Sequence, residues 1–237
     1  MDKNRKTAII VGILYIIGTV AGILSVVFTE PILNAQDFLF LISEDPSQLI
    51  MGALFVLTMG LTLALVPVMM FPILKKQNEA LALGYVIFRG GLEAFTYIAI
   101  VISWLFVVPL SELFIQAGTP DTSTFQVLGT LLLDTGKIAS ITAIIFPIGA
   151  LMFYTLLYQT KLIPRWITLW GLIAVILHLV GGGFLDMFGL IEPMSTLQIV
   201  LALPIALQEM VMAVWFIAKG FNASAIEAES VKSISAK

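Results

Sequence analysis

Polar residues in this chain are confined to a few short stretches, and between them run apolar segments long enough to cross ~30 Å of hydrocarbon at 1.5 Å per residue. Six such segments stand out, at residues 8–28, 49–74, 81–108, 125–158, 166–185 and 196–218. Strands are excluded, because a membrane strand is ~10 residues of alternating character and an unpaired backbone finds no partner in lipid. The expected fold is all-α, an integral membrane bundle of six transmembrane helices. Residues 1–221 read as one membrane domain, and residues 222–237, made of Ser, Ala and charge, as a disordered tail. The first segment follows Met1-Asp-Lys-Asn-Arg-Lys6 as a signal peptide would, but it is longer than the ~7–15 residues of such a region and reads as an uncleaved anchor.

Local patterns refine this outline. In the long Thr29 to Gln48 loop, Phe38-Leu-Phe-Leu-Ile42 predicts a short interfacial helix. Ser123-Thr-Phe-Gln126 has capping-box spacing and predicts a fourth helix from near Thr124 to Tyr158. At ~50 Å it is longer than the hydrocarbon and must project, tilt or kink at Pro147. Gly18-Thr-Val-Ala-Gly22 is a small-xxx-small pattern for close packing inside the bundle. Trp104, Trp166, Trp170, Trp215, Tyr154 and Tyr158 fall mostly near segment ends, the headgroup level that aromatic rings prefer.

Composition narrows the class. Of 237 residues 59% are hydrophobic and only 11% charged, where a soluble domain carries about a quarter. A soluble enzyme, a disordered chain and a nucleic-acid binder are excluded, and the lipid bilayer is the one partner required. Zero cysteines and one histidine leave too few donors for a metal site and no thiolate chemistry. No phosphate loop, haem motif or dinucleotide fingerprint appears, so no cofactor is expected. With six alternating segments, Lys3, Arg5, Lys6, Lys75, Lys76, Lys161, Arg165, Lys219, Lys232 and Lys237 all fall on one side, which places both termini in the cytoplasm. Glu30, Asp37, Glu44, Asp45, Glu112, Asp121, Asp186 and Glu192 make the opposite surface acidic.

The candidate chemistry lies in the ionisable groups inside the segments. Each central charge costs ~2.5–3.5 kcal/mol on insertion scales, so Arg89, Glu93 and Glu209 must face inward and find partners. Counted from the cytoplasmic ends, Arg89, Glu93, Glu209, His178 and Tyr15 fall at roughly 12–18 Å, one layer near the midplane. Tyr85, Arg89, Glu93 and Tyr97 recur every four residues and predict one polar face, with Gly90, Gly91 and Ala94 beside it for close helix contact. One guanidinium cannot neutralise two carboxylates, which leaves a surplus acid unless a proton is held by one glutamate or shared with His178. Asp134 and Lys137 are expected to pair at i, i+3 near the outer boundary.

Three stretches resemble a known family: Lys161-Leu-Ile-Pro-Arg-Trp-Ile-Thr-Leu-Trp-Gly171, Arg89-Gly-Gly-Leu-Glu93, and Gln208-Glu209 through Trp215 to Gly220-Phe221. They are similar to the bacterial domain of unknown function 4386, over residues 5–221 or so. The resemblance implies a multispan bacterial membrane protein and names no activity. The candidate site is then Arg89, Glu93 and Glu209, with His178, Tyr15, Tyr97 and Gln208 around them. The leading reading is a carrier or receptor for a small anionic or amphiphilic ligand in a bacterial plasma membrane. The rivals are a structural or regulatory protein whose ion pairs only fix packing, and an intramembrane lipid-modifying enzyme.

Overall fold

The computed structural model describes residues 2–118, 122–192 and 195–226, and among them every regular element is helical. Hydrocarbon dictates this, since a helix satisfies its backbone hydrogen bonds within one segment. Helix α1 (Lys3–Leu33) leads through the short α2 (Phe38–Glu44) to α3 (Ser47–Leu74). Before α3, the hydroxyl and N–H of Ser47 bond to the Asp45 carboxylate and hold it below the ordinary carboxylate range. The third span is continuous: α4 (Glu79–Tyr85), a π-helical segment π1 (Val86–Leu92) and α5 (Glu93–Ala117). The fourth joins α6 (Thr122–Leu133) to α7 (Gly136–Thr160), the fifth joins α8 (Arg165–His178) to a second π segment π2 (Leu179–Leu185), and α9 (Thr196–Ala218) is the sixth. All six are long and apolar enough to cross a membrane, as the hydrophobic pattern predicts.

The spans form a closed ring in chain order. Each packs on the next, and α9 closes on α1. The α1–α3 seam is antiparallel, with Gly22 against Met59, Gly18 against Leu63 and Gly52 against Thr29. The Gly18 and Gly22 pair therefore serves internal packing, and the same register brings Lys75 and Lys76 level with Arg5 and Lys6. At this basic end Arg5 donates to the last carbonyls of α9, Phe216 O at 3.0 Å and Ile217 O at 2.6 Å. The interior has two apolar layers: one around Tyr15, Met70, Tyr85, Phe153 and Phe216 toward the basic end, the other around Leu39, Ile42, Leu49, Trp104 and Val107 toward the opposite end. Helix α2 forms where expected and is packed into that second layer by Phe38, Leu39 and Ile42.

Several expectations are corrected. The fourth span, expected as one helix from near Thr124 to Tyr158, is two: it starts at Thr122 and breaks at Asp134 and Thr135, and Pro147 lies inside α7. The break is stable because its freed carbonyls find partners in α5: Ser103 Oγ donates to Leu132 O at 2.7 Å and Trp104 Nε1 to Leu133 O at 3.3 Å. Trp104 and Tyr154 are accordingly core residues and not headgroup anchors. Asp134 accepts from the Gly136 N–H, while Lys137 donates to Asp186 O and Met187 O at 3.1 and 3.3 Å, so the expected i, i+3 pair does not form. Asp186, assigned to the acidic surface, is buried and accepts from Ser140 at 2.6 Å. Gly91 is exposed, and a Cβ there would meet nothing within 4 Å. Of the expected tail, Asn222 to Ile226 begin a helical turn whose Ala225 and Ile226 touch the core, and residues 227–237, like Asp121, lie outside the described residues.

Candidate functional site: a buried guanidinium between two glutamates

The third span aims the charged groups inward. Along one face its buried residues include Tyr85, Arg89, Glu93, Thr96, Ile100 and Trp104, in steps of four, four, three, four and four. In turns of 3.6 residues, repeated steps of four drift around the helix. The i→i+5 bonding of π1 widens the turn and keeps Tyr85, Arg89 and Glu93 on one face. Helix α7 admits this wider turn through Gly149, where a Cβ would lie 3.0 Å from Phe88 Cβ and 3.2 Å from the Arg89 nitrogen.

Arg89 holds both acids. Its Nη1 donates to both Glu93 oxygens at 2.9 and 3.1 Å, and Nη2 donates to Glu209 Oε1 at 3.1 Å. The third span and α9 stand on opposite sides of the ring, so this second bond crosses the interior. The Phe146 ring lies 4.4 Å from the guanidinium carbon and the Tyr15 ring 6.0 Å, both within cation–π reach. Tyr97 donates to Glu93 Oε1 at 3.1 Å. The Arg89 and Glu93 side chains are 3% and 1% exposed, whereas Glu209 is 15% exposed. The Arg89 Nε–H is buried and has no partner.

The remaining candidates divide. Tyr15 belongs to the centre through its ring and meets the Tyr85 hydroxyl at 3.4 Å. His178 lies beyond Phe146, edge to face at 5.5 Å, with Nδ1 unpartnered; no hydrogen bond joins it to Glu93 or Glu209, so the shared proton is not seen. Gln208 turns away from Arg89, accepting from Tyr154 at 2.6 Å and donating to Ile167 O at 3.0 Å, and thereby ties α7, α8 and α9 together. Among the described residues no group of three or more His, Asp or Glu could hold a metal ion.

The family model described as Domain of unknown function (DUF4386) matches residues 10–220. The chain belongs to this family. No curated protein and no solved structure matches it. In this DUF4386 chain, the Arg89 to Glu93 stretch and Glu209, far apart in sequence, meet inside the bundle. Phe146 is the site residue that sequence reasoning missed. Thr142, Phe146, Gly149 and Phe153 recur at i, i+4, i+7 and i+11, a helical face that carried the signal, but all-apolar surroundings hide it.

Proposed function

We propose that this DUF4386 protein is a carrier or receptor for a small anionic or amphiphilic ligand, bound at Arg89 inside the ring, in a bacterial plasma membrane with both termini cytoplasmic. The observation that carries the reading is a half-used edge of the guanidinium. Nε and Nη2 lie along one edge of that plane; Nη2 is bonded to a single oxygen of Glu209 and the buried Nε–H to nothing. An anion with two oxygens, a carboxylate or phosphate, fits such an edge with two parallel bonds. Glu209 is the replaceable partner, since it is the more exposed acid and holds Arg89 through one oxygen. A cluster that only cemented helices gains from satisfying every donor, and here one strong donor is left open.

The near-complete closure around Arg89 and Glu93 favours a second reading, in which the ions only fix how the helices register. Native mass spectrometry of the gently extracted protein separates the two. The ligand reading expects a small-molecule adduct on the wild type, absent from Arg89→Ala and altered in occupancy in Glu209→Gln, which keeps the shape of the site. Identical spectra for the three proteins favour packing alone.

A further inference from the structure

A second site lies at the basic end of the bundle, away from Arg89. There the turn between α7 and α8 and the chain leaving α9 enclose an open cavity of about 450 Å³. Among the described residues Lys161, Arg165 and Lys219 line it, and no acid does. All three cations are exposed, and among the described residues none is paired with a carboxylate. Trp215 and Phe221 supply an aromatic wall. Gly220, at φ 74°, reverses the chain so that the Asn222 N–H can bond to Leu162 O at 2.9 Å, which pins the two sides of the cavity together. Helix α8 begins at this wall with Pro164 as its N-cap, a residue that gives the first-turn N–H groups no side-chain acceptor, so the positive end of its dipole also faces the site. Arg5 is nearby, but its guanidinium is spent on the carbonyls of α9.

We infer that this cavity binds a phosphate group. Three cations without a carboxylate partner, Arg165 among them resting on the Tyr158 ring at 4.8 Å, and a helix start without a side-chain cap meet an anion of high charge density, and the aromatic wall accommodates an apolar portion beside it. Two sources carry that chemistry at the end of a membrane span: the headgroup of an anionic phospholipid, and a phosphate compound free in solution. The inference is independent of the Arg89 reading and shares no residue with it.

The test uses the full-length protein, delipidated in detergent, and two probes: phosphatidylglycerol in mixed micelles, followed by native mass spectrometry, and inorganic phosphate, followed by titration calorimetry. Each cation near an anionic surface contributes about fivefold, so Lys161→Gln, Arg165→Gln and Lys219→Gln together are expected to weaken binding on the order of a hundredfold. The control, Lys75→Gln with Lys76→Gln, removes two charges at the same end but outside the cavity and is expected to leave binding unchanged. Lipid binding lost only in the triple variant supports the site with a headgroup as its ligand; phosphate binding lost in the same way supports it with a soluble ligand. Binding of neither probe, or equal loss in the control, overturns it. Should the triple variant fail to fold, Lys219→Gln alone is expected to weaken binding about fivefold, and an unchanged affinity there counts against the site.

Discussion

At the scale of single residues, the centre is asymmetric. Glu93 takes two bonds from Arg89 and one from Tyr97, whereas Glu209 takes one from Arg89. Removing the guanidinium leaves two carboxylates facing each other without a cation, and breaking a buried pair in this way costs about 3–5 kcal/mol. Arg89→Leu is therefore expected to lower the melting temperature in detergent markedly, as followed by circular dichroism. Adding Glu93→Leu and Glu209→Leu to that variant is expected to recover most of the loss, because no charge then remains to be buried; a triple variant as unstable as the single one contradicts this electrostatic account. Glu209→Gln keeps an oxygen for Nη2 and is expected to cost less than Glu93→Gln, whose partner bonds are more numerous. The inward placement of these three residues was legible from the insertion cost of their charges. The partner of each was not, because helix rotation and tilt are set by packing between segments that sequence spacing does not describe.

At the scale of elements, close approach decides where the charges lie. A side chain at Gly149 meets the backbone of π1, so Gly149→Val is expected to cost about 1–3 kcal/mol by overpacking and to shift Arg89 away from Glu209. At Gly12 a Cβ would lie 2.6 Å from the Ala213 carbonyl oxygen, a backbone atom that cannot step aside, and Gly12→Val is expected to open the seam between α1 and α9. Both are read as lowered thermal midpoints against Gly91→Ala, which faces open space and is expected to be silent. The break between α6 and α7 depends on borrowed donors, and Ser103→Ala, which removes the partner of Leu132 O, is expected to cost about 1 kcal/mol. Helix existence was legible in every span, because apolar length is a property of the segment itself. The π turns and the break were not, since π1 depends on the close approach that Gly149 of α7 allows and the break on donors from α5.

At the scale of the whole molecule, six antiparallel spans close a ring, and an even number is what lets the last pack antiparallel on the first. Among the described residues every Lys and Arg except the buried Arg89 and Lys137, which lies at the opposite end, gathers at the end that holds Arg5 and the exit of α9, as alternation of six segments requires. Because the chain has no cysteine, orientation can be read with single reporters. Glu44→Cys is expected to react with a membrane-impermeant maleimide in intact cells, and Lys76→Cys only after permeabilisation; the reverse pattern inverts the proposed topology. What the sequence determined by itself was the number of spans, their alternation, the sidedness of charge and the identity of the residues that cannot face lipid, since these follow from the transfer energies of individual side chains. What only the tertiary structure decided was who meets whom: Arg89 with Glu209 across the ring, Phe146 between Arg89 and His178, Asp186 turned inward to Ser140, Gln208 turned to Tyr154. Those contacts depend on the rotation and separation of helices, and in a chain this uniformly apolar many rotations bury the same hydrophobic area, so only the few polar and glycine contacts select among them.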